Sequence, residues 1–186
     1  MSKKVLVLKS SPRKHGNSTL LADQAIKGAR EMGSEVEEIL LDRMKIRPCN
    51  ACDKCRSGER NCVVRDDMQT IYPKLLEAEA IILASPIYYF TFSAQLKLCI
   101  DRWYALERPD GNLLKGKPVG ILLTYGDTDL YTSGGINAIH TFESIFAYIG
   151  CSIAGAVYGT ANKPGDITGQ KDLMEKAYEL GKALVG

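Results

Sequence analysis

Near the start of the chain, Val5-Leu6-Val7-Leu8 runs almost directly into Ser10-Ser11-Pro12-Arg13-Lys14-His15-Gly16-Asn17-Ser18-Thr19. Four consecutive apolar residues mark a strand buried on both faces, as in parallel sheets. Beyond the polar run, Leu21, Ala25, Ala29 and Met32 recur at helical spacing, and Gly33 is placed to stop that helix. Strand, loop and helix in this order open an α/β chain. The loop exceeds the roughly 2–6 residues a strand-to-helix connection usually takes. Its composition suits a phosphate, because a helix start offers free N–H groups and the positive end of its dipole. Ser10, Ser18 and Thr19 bring hydroxyls, Asn17 an amide and Arg13 a charge, while Gly16 lets the backbone approach closely. The Walker ending and the G-x-G-x-x-G pattern are both absent, which favours a mononucleotide phosphate over ATP or a tightly held dinucleotide. The plain alternative is a polar turn with Ser18 as helix N-cap.

The same alternation continues along the chain. Glu35 to Leu41 reads as a second strand, Ala80 to Ala84 as a third, Val119 to Thr124 as a fourth and Ile153 to Tyr158 as a fifth. Between them, helical stripes are formed by Met68, Ile71, Tyr72 and Leu75, by Leu96, Cys99, Ile100 and Trp103, and by Ile139, Phe142, Phe146 and Ile149. Leu173, Ala177, Leu180 and Leu184 stripe a last helix. Asp66 followed by Gln69 suggests a capping box, and Ser93 an N-cap. Right-handed crossovers then require a parallel sheet covered on both faces. The expected fold class is α/β: a flavodoxin-like three-layer sandwich with a five-stranded sheet of order 2-1-3-4-5. With no linker or repeat in sight, residues 1–186 are expected to form one domain, with a cysteine-rich loop at about 44–65. In this topology ligands bind outside the carboxyl ends of the strands, near the switch between strands 1 and 3.

Composition limits the function. The 186 residues carry 24 Lys and Arg against 22 Asp and Glu, a net charge of +2 without a long basic run, so nucleic acid is not an expected partner. The start lacks a signal-peptide pattern, and no segment reaches the about 18 apolar residues of a membrane span. The expectation is a cytoplasmic protein without a membrane partner. In that reducing compartment, six cysteines point to metal or redox chemistry rather than disulfides.

Two further loops border the expected crevice. Ser85-Pro86-Ile87-Tyr88-Tyr89-Phe90 follows the third strand, and its apolar walls suit the flat tricyclic ring of a flavin. A subunit interface would use the same aromatics. Thr124-Tyr125-Gly126-Asp127 ends the fourth strand and faces the same crevice. The S-P-R-x-x-G-N-S-T run at Ser11–Thr19, taken with S-P-I-Y-Y at Ser85–Tyr89, resembles the NADPH-dependent FMN reductase group of flavodoxin-like proteins. That resemblance implies FMN, its phosphate on Ser10, Arg13, Asn17, Ser18 and Thr19 and its ring on Pro86, Ile87, Tyr88, Tyr89 and Phe90. It also implies a homodimer or homotetramer.

Cys49-x2-Cys52-x2-Cys55-x6-Cys62 lies in the loop after the second strand. Compact spacing of four thiols suits a [4Fe–4S] centre better than the two separated knuckles of structural zinc, though zinc or free thiols stay open. On this fold the spacing resembles the iron-sulfur flavoproteins of anaerobic microbes. The resemblance implies these four cysteines as cluster ligands, with electrons passing from a donor such as ferredoxin through the cluster to FMN and on to an acceptor. An air-purified preparation can lose such a cluster. The alternatives are an NAD(P)H-dependent FMN or quinone reductase without a functional cluster, and a non-enzymatic zinc-stabilised binding module. No residue is assigned as a catalytic acid or base. Cys99 and Cys151 are expected to pack as small hydrophobes, His15 to be solvated and His140 to be structural.

Overall fold

The computed structural model describes residues 2–57 and 61–186. Five parallel strands form the central sheet: β1 (Lys4–Lys9), β2 (Glu35–Leu40), β3 (Ala80–Tyr88), β7 (Pro118–Tyr125) and β8 (Ser152–Thr160). Their spatial order is β2-β1-β3-β7-β8, the expected 2-1-3-4-5. The flanking helices are α1 (Asn17–Glu31), α2 (Met68–Glu77), α3 (Ala94–Asp101), α4 (Gly135–Ile149) and α5 (Lys171–Ala183).

The period-2 geometry of a strand divides the apolar runs between two cores. Leu6, Leu8, Ile81, Leu83, Ile121 and Leu123 pack with α2, α3 and α4. Val5, Val7, Ala80, Ile82, Ala84 and Leu122 pack with α1 and α5. The α1–α5 crossing is closed on two glycines. A Cβ at Gly28 would lie 2.1 Å from the Tyr178 carbonyl oxygen, and one at Gly181 would lie 1.9 Å from that of Ala25. At the end of α2, the Lys117 ammonium donates to the carbonyls of Leu75, Leu76 and Ala78. A cation there complements the helix dipole, an effect of about 0.3–1 kcal/mol.

The structure departs from the sequence expectations mostly at element ends. β3 runs four residues beyond Ala84 because its pairing with β7 continues to Pro86 opposite Thr124. It then turns back as a hairpin into the short β4 (Thr91–Phe92), which pairs antiparallel with it. A second small hairpin joins β5 (Glu107–Arg108) to β6 (Gly111–Asn112). The capping box does not form: Gln69 Nε2 instead donates to the Cys62 and Val64 carbonyls, fastening the end of the cysteine loop. Ser93 is an N-cap by position, but its hydroxyl leaves the helix and donates to Ser10 Oγ at 2.8 Å. Trp103 belongs to a 3-10 turn, Arg102–Leu106, that continues α3. Cys99 is fully buried, whereas Cys151 is half-buried with its thiol 3.0 Å from the Leu114 carbonyl. His140 is exposed, on the outer side of α4. No helix among the described residues is long and apolar enough to cross a membrane.

Candidate flavin site and cysteine loop

The first turn of α1 begins at Gly16, whose carbonyl accepts from Leu20 N and whose N–H closes a turn onto Arg13 O at 3.0 Å. The helix cap is therefore Gly16, and Ser18 lies inside the first turn. Ser18 Oγ is buried and, among the described residues, has no hydrogen-bond partner. A buried hydroxyl without a partner costs about 1–3 kcal/mol, which an acceptor at the helix start would recover. A Cβ on Gly16 would fall 2.1 Å from Ser11 Oγ, so the loop closes to its observed shape only around glycine. The main-chain N–H groups of the first turn, free by helix geometry, are the natural anion donors here.

The other residues of this loop divide by role. Ser10 is fully buried; it donates to the Ala84 carbonyl and receives the Ser93 hydroxyl, so it braces the loop from behind. Asn17 spends its whole amide within the chain: Nδ2 donates to the Ala161 and Lys163 carbonyls, and Oδ1 accepts from Gly165 N and Ile167 N. What Asn17 can offer a ligand is its main-chain N–H. Arg13 is exposed and donates to the Asn162 carbonyl at 2.8 Å. Thr19 is half-buried.

In front of this loop lies a cavity of about 220 Å³, lined by Ser11, Arg13, Gly16 and Asn17 from one side. Pro86, Ile87, Tyr88, Thr124 and Gly126 line the other, with Ala161 and Asn162 from beyond β8. It shares Ile87 and Gly126 with a second cavity of about 250 Å³, whose walls include Tyr89, Phe90, Tyr125 and Asp127. Each is small for a cofactor, but together they reach the ~300–1,000 Å³ range of ligand pockets. Ser10, Ser18 and Thr19 line neither. Ser11, Ala161, Asn162, Thr132 and Ser133 line the clefts without having been singled out. Ser11 stood inside the quoted motif. Ala161 and Asn162 follow the carboxyl end of β8, where the strand-end rule for ligand crevices places binding loops.

The tip of the β3–β4 hairpin is held in an uncommon backbone. Tyr89 and Phe90 both have positive φ, 46° and 68°, in the two central positions usually given to Asn-Gly. Left-handed backbone at a non-glycine residue costs about 1–3 kcal/mol and persists only where the surrounding structure holds it. The tip is tied down by Asn137 Nδ2 donating to the Phe90 carbonyl. Tyr89 is nevertheless 97% exposed. A glycine cradle and aromatic walls on two adjoining cavities, with an unpartnered hydroxyl buried at the helix start behind them, together fit an FMN.

Elsewhere, Cys49 and Cys52 are exposed, Cys55 is buried and Cys62 is half-buried. Burial pushes the Cys55 thiol up from its ordinary value, and Cys62, Cys49 and Cys52 add to that from close by. Among the described residues, no three His, Cys, Asp or Glu side chains are placed as a ready-made ion site. Beneath the loop, Arg102 pairs with Asp66 at 2.6 Å, with both side chains buried. Burial alone would raise the Asp66 carboxyl, but hydrogen bonds from Arg102 and Arg47 N outweigh it and hold the group below the usual range. Among the described residues, Arg102 Nε is buried without an acceptor. Four thiols and an unspent cationic donor fit the chemistry of an anionic iron-sulfur group, although the sulfurs are not drawn together around one point.

A doubly wound sheet of this strand order is the flavodoxin-like fold, whose ligands sit at the switch point between β1 and β3. Within that class, residues 3–164 match the family model of NADPH-dependent FMN reductases, and the chain belongs to that family. An iron-sulfur flavoprotein of Methanocaldococcus jannaschii is 35% identical, over 96% of this chain and 94% of that one. A Bacillus subtilis protein, provisionally named an NAD(P)H-dependent FMN-containing oxidoreductase, is 33% identical over 96% of this chain and 97% of its own. The NAD(P)H:quinone oxidoreductase of Methanothermobacter marburgensis shares the fold, with a TM-score of 0.76 at 18% identity, covering 99% of this chain and 98% of that one.

Proposed function

We propose that this chain is an electron-transfer oxidoreductase with FMN in the β1–β3 cleft and a [4Fe–4S] cluster on Cys49, Cys52, Cys55 and Cys62. The observation that carries the reading is the four-thiol loop seated on a buried arginine in a chain that also has a flavin-type cleft. Iron-sulfur flavoprotein is also the name of a relative that spans nearly the whole chain. FMN would exchange one or two electrons and the cluster one at a time, bridging a one-electron donor such as ferredoxin and a two-electron acceptor. The first-turn N–H groups of α1 and Arg13 would hold the phosphate, with the unpartnered Ser18 hydroxyl buried behind them and Thr19 outside the cavity lining. Ser10 braces them, and Asn17 locks the helix start to the segment beyond β8. Pro86, Ile87, Tyr88, Tyr89 and Phe90 bound the ring, with Thr124, Tyr125, Gly126 and Asp127 on the facing wall. No side chain of this cleft needs to move a proton.

The nearly bare Tyr89 ring and an apolar groove of about 560 Å³ beside it, between Tyr88 and Leu98, favour a homodimer or homotetramer in which a second copy covers the flavin edge. Six cysteines without a disulfide suit a reducing cytoplasm.

Anaerobic purification followed by iron, sulfide, zinc and flavin analysis tests the reading. About four iron atoms and one FMN per chain are expected; zinc without iron, or the absence of both cofactors, would defeat it. Cys52→Ala is expected to lose the iron while FMN stays bound, because Cys52 lies on an exposed loop outside the flavin cleft. A second reading, an NAD(P)H-dependent FMN or quinone reductase with incidental cysteines, is favoured by the family match. Rapid anaerobic bleaching of the flavin by NADPH would support it, and bleaching only by reduced ferredoxin would support the first.

A further inference from the structure

Arg102 is the bulkiest of the fully buried side chains, 1% exposed, and it takes no part in the flavin cleft. It closes α3 and faces the cysteine loop. Nη1 donates to Asp66 Oδ2 at 2.6 Å and to the Arg47 carbonyl at 2.9 Å. Nη2 donates to Cys62 Sγ at 3.1 Å and to the Val64 carbonyl at 3.4 Å. One guanidinium thus holds the chain two residues before the first loop cysteine and two residues after the last. Tyr72, whose hydroxyl donates to the Arg102 carbonyl at 3.0 Å, also meets Cys62 with its side chain. Two residues further along the same turn, Tyr104 engages Asp53 and lies under the Arg56 guanidinium at 5.4 Å. The 3-10 turn Arg102–Leu106 is the platform on which the cysteine loop rests.

The choice of partners is informative. A buried arginine–carboxylate pair is a weak source of stability on its own. A neutral thiol is a poor acceptor, whereas an anionic sulfur is a good one for a charged N–H donor. The guanidinium spends one nitrogen on balancing Asp66 and points the other at sulfur.

We infer that Arg102 is a positioning residue for the iron-sulfur site, fixing Cys62 and setting a permanent positive charge and an N–H···S hydrogen bond on that ligand. This rests on the four cysteines being the cluster's ligands. Reduction adds one electron and no proton, so the reduced form is the more negative one. Hydrogen bonds and positive charge at a ligand sulfur stabilise it and raise the potential.

The test uses anaerobically prepared, full-length wild type, Arg102→Gln and Arg102→Lys. The cluster's midpoint potential is read by mediated titration, and Co(II) binding to the iron-free thiols by its sulfur charge-transfer band. FMN affinity and thermal midpoint serve as controls. In Arg102→Gln the one-electron equilibrium is expected to move about tenfold toward the oxidised form, a drop of about 59 mV. Co(II) affinity should fall at least tenfold while FMN affinity holds. Arg102→Lys keeps the charge but cannot span Asp66 and Cys62 together, so it should restore part of both. If Arg102→Gln does not fold, Arg102→Lys decides the matter through the same two readings. Wild-type potential and Co(II) affinity in a folded variant overturn the inference and leave the cluster reading standing. Wild-type protein that binds neither iron nor Co(II) overturns both.

Discussion

Gly181→Ala is expected to lower the thermal midpoint by about 4–8 °C, although alanine is the better helix former. The propensity gain is about 1 kcal/mol. Against it stands a Cβ 1.9 Å from the Ala25 carbonyl oxygen and 2.6 Å from its carbon, backbone atoms that cannot rotate away. Helix α5 would have to lift off α1, and overpacking of this kind costs about 1–3 kcal/mol, sometimes more. With backbone contacts this short the cost lies at the top of that range, and the resulting net loss of about 2 kcal/mol converts to the stated shift at about 2–4 °C per kcal/mol for a chain of this size. Gly28→Ala, with its Cβ 2.1 Å from the Tyr178 carbonyl oxygen, should act in the same direction. The double variant should fall short of the sum, since one outward shift of α5 relieves both clashes. Circular dichroism melts check all three, and an unchanged or raised midpoint in Gly181→Ala would show that the helices can separate at no cost.

Gly16→Ala is expected to weaken FMN binding at least about 100-fold. Gly16 has φ −63°, so alanine can adopt its backbone, and the difficulty is space. The added carbon would sit 2.1 Å from Ser11 Oγ and 2.8 Å from Ser11 Cβ, forcing the loop away from the start of α1. Hydrogen bonds to a charged phosphate contribute about 1.5–3 kcal/mol each, and 1.4 kcal/mol is tenfold in affinity. Losing the alignment of two such bonds is enough for the stated effect. Quenching of flavin fluorescence on titration with apoprotein measures it. Riboflavin, which lacks the phosphate, should bind wild type and variant alike; an equal loss for both flavins would place the phosphate elsewhere.

The fold was legible because its strands are nearly continuous apolar runs. Val5 to Leu8, Ala80 to Ala84 and Val119 to Thr124 have no reading as exposed segments, and alternation with helical stripes leaves few topologies. The strand ends were not legible, since they depend on pairing: β3 reaches Tyr88 because β7 and β4 accept its hydrogen bonds, which no local pattern reports. The phosphate loop was legible as a location. The division of labour within it was not, because Ser10 and Asn17 differ from Ser18 only in what faces them across the fold. Polar residue types advertise hydrogen bonding without naming the partner. Cys62 shows the same limit. Its place in the spacing pattern was plain, but the arginine beneath it comes from a helix 40 residues away in sequence.

The Asn17 side chain joins the first helix to residues 144 to 150 positions further along the chain. Ala161 and Asn162, part of the same distant segment, complete the cleft wall. During synthesis the loop after β1 therefore emerges well before the segment after β8 that completes the cleft wall. Contacts this distant in sequence are slow to form and absent from every shorter nascent chain. On the proposed reading, flavin uptake is tied to the docking of β8 against β7, and a chain stalled before that strand would carry the loop after β1 without the facing wall of its cleft.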